Sequence, residues 1–150
     1  LWSWARATTG AKTPWLCGEY FAADAFFAPV AARIAGYNLP VGAGAMVYVN
    51  AHLAHPSFRR WRAMGMADGP DQEFYHRDWP RRDWPGPRPL AARPVEGTGA
   101  ENAACPYSGQ PVTHVLELAG RRFGFCNAFC RDKTVADPEA WPKFMALYQS

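Results

Sequence analysis

Six prolines crowd into residues 68–95 (Pro70, Pro80, Pro85, Pro87, Pro89 and Pro94). No continuous helix or central strand survives that density, because each proline lacks an N–H and fixes its own φ. The chain of 150 residues is thereby cut into a stretch before, residues 1–67, and a stretch after, residues 96–150. Their apolar patterns differ. The first repeats at steps of three and four, the period of a helix, whereas the second alternates and then turns helical. The expected class is mainly α: a helical bundle, a Pro/Trp-rich linker or wrapping arm over 68–95, and a small α+β module built as a β-hairpin followed by helices.

An apolar share of 49% with only 19% charged residues describes a folded, soluble chain rather than a disordered tail. The net charge of +3 is mild and its Lys and Arg residues are scattered, so no nucleic-acid partner is expected. No apolar run is long enough to span a bilayer and no secretory signal opens the chain, so no membrane partner is expected either. Four cysteines are too few for a disulfide framework, which points to a reducing, cytoplasmic compartment. The first residue is Leu1 rather than Met, and Leu1–Arg6 reads as helix already under way. Upstream sequence is the expectation.

Thr8–Pro14 breaks the first helical piece. From Ala22, the apolar positions Ala23, Phe27, Val30 and Ile34 fall on one helical face and should enter a core. Asp24, three residues after Phe21, is placed to cap this helix through the free N–H groups of its first turn. Pro29 marks a kink. A further helix over Gly44–Ala54 presents Met46, Val49 and Leu53, and Ser57 can cap a last one with Phe58, Trp61 and Met64 inward. In the arm, Arg-Asp-Trp-Pro occurs twice, at 77–80 and 82–85. A solvated linker would rarely carry Phe74, Tyr75, Trp79 and Trp84, so these aromatics are expected to dock on the helical part. A peptide- or sugar-binding surface is the alternative.

Beyond residue 96, Val112–Leu118 alternates as a strand, Ala119-Gly120 is a two-residue turn, and Arg121–Phe125 is the returning strand. If the turn pairs Leu118 with Arg121, then Leu116 meets Phe123 and His114 meets Phe125. Asn127 can cap the next helix, and Asp137-Pro138 is a cap followed by proline at the first helical position.

Gly18-Glu19-Tyr20-Phe21-Ala22-Ala23-Asp24-Ala25-Phe26-Phe27-Ala28-Pro29-Val30 resembles the capping-box helix of the glutathione S-transferase C-terminal domain, usually written G-x-x-S-x-A-D-x-x-x-A-P. Ala51–Trp61 resembles the helix pair that follows, with its L-x-x-P-x-x-x-x-W pattern, and the likeness covers about residues 1–65. The family's capping Ser or Thr is Phe21 here, and loss of such a cap typically costs about 1 kcal/mol. Asp24 must carry the cap alone, with Phe21 packed as a staple.

The resemblance implies the C-terminal part of a transferase whose thioredoxin-like N-terminal domain binds glutathione and whose helical domain lines the pocket for a small electrophile. The parent would conjugate or isomerise that electrophile, with a homodimer as the usual assembly. It implies no catalytic residue within this chain. Cys17 reads as a small core residue, and Tyr37, His52 and His55 as packing or surface residues.

Cys105-Pro106-Tyr107-Ser108-Gly109 and Phe125-Cys126-Asn127-Ala128-Phe129-Cys130, with Ala136–Trp141 downstream, resemble the treble-clef-like TRASH and YHS modules over about residues 103–142. Cys105, Cys126 and Cys130 are three sulfurs at the spacing of a tetrahedral zinc site. His114 faces away from Cys126 in the hairpin register and is not expected to be the fourth ligand, while Ser108, which stands where some relatives have a second Cys, is a poor zinc ligand, leaving water, a partner or no metal at that position. Three readings stay open: a metal-binding or metal-sensing module, a degenerate module folded around Phe123, Phe125, Phe129, Trp141 and Phe144 with three buried thiols, and a Cys126–Cys130 disulfide. A purely structural or interaction role for the whole chain is a further alternative.

Overall fold

The computed structural model describes residues 1–70, 72–76, 78 and 83–150, with Tyr75 described by its backbone alone. Two compact units emerge, Leu1–Phe58 with the described part of Pro80–Arg88, and the described residues of Arg59–Trp79 with Pro89–Ser150. Among the described residues no helix is long and apolar enough to cross a membrane.

The first unit contains α1 (Trp2–Thr9), α2 (Ala22–Tyr37), α3 (Ala43–Ala54) and the opening residues of α4 (Pro56–Asp68). Helix α2 runs through Pro29 and stops at Asn38, which takes a left-handed φ of 52°. Its buried residues are Asp24, Ala31, Ile34 and Ala35. Of the expected face only Ile34 is buried, and Val30 is 39% exposed. Packing explains the turn of the face: the small Ala31 and Ala35 let α3 approach, and Val49 and Leu53 fill the same core. Periodicity counted over large apolar residues could not see this, since methyl groups carry the contact.

Helix α4 begins at Pro56, so proline occupies the first turn and Ser57 lies inside the helix rather than at its cap. Phe58 is buried as expected, but Trp61 and Met64 are exposed. Trp84 of the arm stacks on Phe58 with ring centroids 6.4 Å apart and planes 8° from parallel. A Cβ on Gly86 would collide with the Trp84 indole and sit 3.2 Å from the Leu53 Cβ, so glycine is what lets the arm lie this close. Phe74 is 67% exposed. Trp79, the Tyr75 ring, and Arg77, Pro80 and Arg82 of the repeat lie outside the described residues.

The second unit is built on an antiparallel sheet in the order β1 (Ala92–Val95), β2 (His114–Leu118), β3 (Arg121–Phe125). The hairpin register is the one a two-residue turn dictates, with Leu118 opposite Arg121, Leu116 opposite Phe123 and His114 opposite Phe125. Ala119 and Gly120 both take positive φ, 51° and 79°, as a type I′ turn requires. Strand β1 was hidden by its proline. Pro94 sits in it opposite Leu116, and β1 is an edge strand, the one place in a sheet where a missing N–H is tolerated.

After the hairpin come α5 (Ala128–Ala136), a 3-10 turn at Pro138–Ala140, and α6 (Pro142–Gln149). Leu116, Leu118, Phe123, Phe125, Trp141 and Phe144 form the core, joined by Ala63 of α4 and by Cys105. Phe129, expected among them, is 40% exposed. Asp137 accepts from the Ala140 N–H at 3.2 Å and takes a two-pronged bond from Arg59, both prongs 2.7 Å. It therefore caps the 3-10 turn, and α6 starts afresh at Pro142.

Candidate metal centre

Three local devices bring the sulfurs of the second unit together. The first is a tight turn after Cys105. The Cys105 N–H donates to the Gln110 carbonyl at 2.8 Å and the Gly109 N–H returns to the Cys105 carbonyl at 2.9 Å. Gly109 completes the turn with a φ of 73°, a conformation natural to glycine. The second is the end of the hairpin. Thr113 holds it from both sides, its N–H donating to the Phe125 carbonyl at 2.8 Å and its hydroxyl to the Cys126 carbonyl at 2.8 Å. The third is the start of α5, where the Asn127 side chain accepts from the Cys130 N–H at 2.8 Å and caps the helix.

The result is a cluster in which the Sγ atoms of Cys105, Cys126 and Cys130 all lie within 4.8 Å of one another, one buried and two half-buried. Cys126 Sγ and Cys130 Sγ are 4.0 Å apart. That is far beyond the roughly 2.0 Å of a disulfide, and all four cysteines are free thiols. Cys126 lies just before Asn127, the cap of α5. His114 is absent from the cluster, and its Nδ1 lies 2.9 Å from the neighbouring Thr113 hydroxyl.

The electrostatics are those of sulfurs too close to ionise together. Burial raises the Cys105 thiol pKa, but the N–H groups of Tyr107, Cys126 and Ser108 and the Ser108 hydroxyl outweigh it, and the group ends well below the ordinary thiol range. Cys130 is pushed up, first by burial, then by its bond to Cys126 and by the charges of Cys105 and Cys126. Lys133 opposes that rise, and its ammonium lies over the rings of Tyr107 at 4.3 Å and Trp141 at 4.4 Å. A cation bound among the sulfurs would remove the repulsion.

Sequence reasoning set Ser108 aside. Its hydroxyl donates to Cys126 Sγ at 3.2 Å. A search over Cys, His, Asp and Glu spacing does not register a serine; the signal was its place three residues after Cys105 on a glycine-closed turn.

In the first unit Asp24 is fully buried at the start of α2. One carboxylate oxygen accepts from the Phe21 N–H at 3.0 Å; the other accepts from the Leu16 N–H at 3.1 Å and the Tyr48 hydroxyl at 2.9 Å. The cap is one-sided, because a phenylalanine side chain has no acceptor to return. Phe21 is exposed and does not act as a staple. His52 is buried beside this carboxylate, its Nε2 2.9 Å from the Asp24 carbonyl and its Nδ1 3.0 Å from the Tyr48 carbonyl. Tyr20 stacks on His55 at 3.7 Å, and Tyr37 is on the surface. Cys17 is exposed, not a core residue.

Comparison with protein-family models, with curated proteins and with solved structures returns no match for this chain.

Proposed function

We propose that this chain is the C-terminal part of a glutathione S-transferase-like protein, in which a helical unit lines the electrophile's side of the pocket and an appended thiolate module binds zinc. The metal reading is carried by one observation, the convergence of Cys105, Cys126 and Cys130 within 4.8 Å from three separate local devices. Thiolate sulfur suits zinc, which would neutralise the cluster and cross-link the turn, the hairpin and α5. The test is zinc content after purification under reducing conditions. About one equivalent is expected, lost in Cys126→Ser; less than a tenth of an equivalent, unchanged in that variant, ends the metal reading.

The transferase reading is favoured by Asp24. A buried carboxylate tying Leu16, Phe21 and Tyr48 together at the head of α2 does the work that the family's capping-box aspartate would do. In the full-length gene product, glutathione conjugation to, or isomerisation of, a small electrophile would depend on a thioredoxin-like domain encoded upstream. Retention on immobilised glutathione together with turnover of an aromatic halide is the expected result. A full-length product that neither binds glutathione nor uses it would sink the transferase reading while leaving the metal reading untouched.

A further inference from the structure

Three sulfurs leave one corner of a tetrahedron open, and beside them stands the Ser108 hydroxyl, 3.2 Å from Cys126 Sγ. In an ideal tetrahedral site with Zn–S about 2.3 Å and Zn–O about 2.0 Å, the sulfur–sulfur edges are about 3.8 Å and the oxygen–sulfur edges about 3.5 Å. The Cys126–Cys130 sulfur pair is separated by 4.0 Å, and the Ser108 hydroxyl is 3.2 Å from Cys126 Sγ. Both edges lie within a few tenths of an ångström of a metal-filled site.

Nothing else among the described residues competes for the corner. His114 stands apart with Thr113. The Asn127 carboxamide oxygen caps Cys130, and its nitrogen, 3.5 Å from Cys126 Sγ, is a donor rather than a ligand. The turn that delivers Ser108 is pinned by Cys105–Gln110 and Gly109–Cys105 backbone bonds, and the Gln110 N–H donates to Ser108 Oγ at 3.3 Å. That bond orients the oxygen lone pairs and occupies only one of them.

Resting on the metal reading above, we propose that Ser108 is the fourth ligand, so that the module holds its ion with three sulfurs and one hydroxyl oxygen and leaves no corner for solvent. A closed site of this kind is structural, with zinc or its spectroscopic substitute cobalt(II) held beyond reach of small anions. The hydroxyl exchanges its hydrogen bond to Cys126 Sγ for a bond to the ion and sheds its proton to solvent or keeps it; neither course requires a co-reactant.

The experiment loads the whole chain with cobalt(II) and follows its visible spectrum while azide is added. Wild-type protein should take up one equivalent with tetrahedral bands that azide does not move. Ser108→Ala should bind cobalt at least tenfold more weakly and shift its bands with azide, because water then holds the corner. Ser108→Cys should raise the sulfur-to-cobalt charge-transfer intensity by about a third, from three thiolates to four, as the shared tetrahedral geometry requires. Bands that azide shifts in the wild type, or equal affinity in Ser108→Ala, would overturn the assignment while leaving the metal centre standing. Failure of the wild type to take up cobalt overturns both.

Discussion

At the scale of single residues, the buried carboxylate of Asp24 carries the most. It receives two backbone N–H groups and a tyrosine hydroxyl away from solvent, and hydrogen bonds to a charged group are each worth about 1.5–3 kcal/mol. Asp24→Asn keeps the size but turns an NH2 group toward donors that need an acceptor. It should lower stability by about 2 kcal/mol, read as a fall in the urea midpoint. A midpoint that stays put would mean that Phe21, Leu16 and Tyr48 find other partners. Asp24 was legible because a carboxylate three residues after a helix start has one obvious use. The links to Leu16 and Tyr48 were not, because contacts eight and twenty-four residues away leave no trace in local spacing. Ser108 was visible in the sequence as the residue in place of a second Cys, but only the fold shows that its hydroxyl lies 3.2 Å from Cys126 Sγ.

At the scale of elements, legibility tracked how many local rules agreed. The hairpin was readable to its register since a two-residue turn between alternating runs leaves only one pairing. The cap of α5 at Asn127 was readable too. The inward face of α2 was not, because burial followed Ala31 and Ala35 while large apolar residues such as Phe26 and Val30 stayed outside. Strand β1 escaped because its proline argues against any strand, and only the sheet shows that the position is an edge. The hairpin also carries a local conflict. Ala119 is held at a φ of 51°, a region that costs an L-residue with a Cβ roughly 1–2 kcal/mol and that asparagine enters more readily. Ala119→Asn should therefore raise stability by about 0.5–1 kcal/mol, seen as a higher thermal midpoint; a lower one would show that the alanine methyl makes a contact worth more than the strain.

At the scale of the whole chain, a small core of one short sheet and two short helices is marginal by itself. The Cys105, Cys126 and Cys130 cluster would supply what that core lacks, because an ion bound by the folded unit and not by the unfolded chain stabilises by mass action. Zinc at a thousandfold excess over its dissociation constant would add about 4 kcal/mol. Amide exchange in β2, β3 and α5 should slow on zinc addition and recover with a chelator. Exchange indifferent to both would show that the sulfurs meet for packing alone.

The proline of β1 has a consequence for how copies of this protein meet. An outer strand ordinarily offers a row of open donors and acceptors on which another sheet can grow. Pro94 removes a donor from that row, and Arg93 is drawn onto Glu117 at 2.7 Å across the adjoining strand. A second molecule arriving edge-on meets an interrupted ladder. The residue that disguised the strand in the sequence also makes this edge of the sheet a poorer template for a second strand.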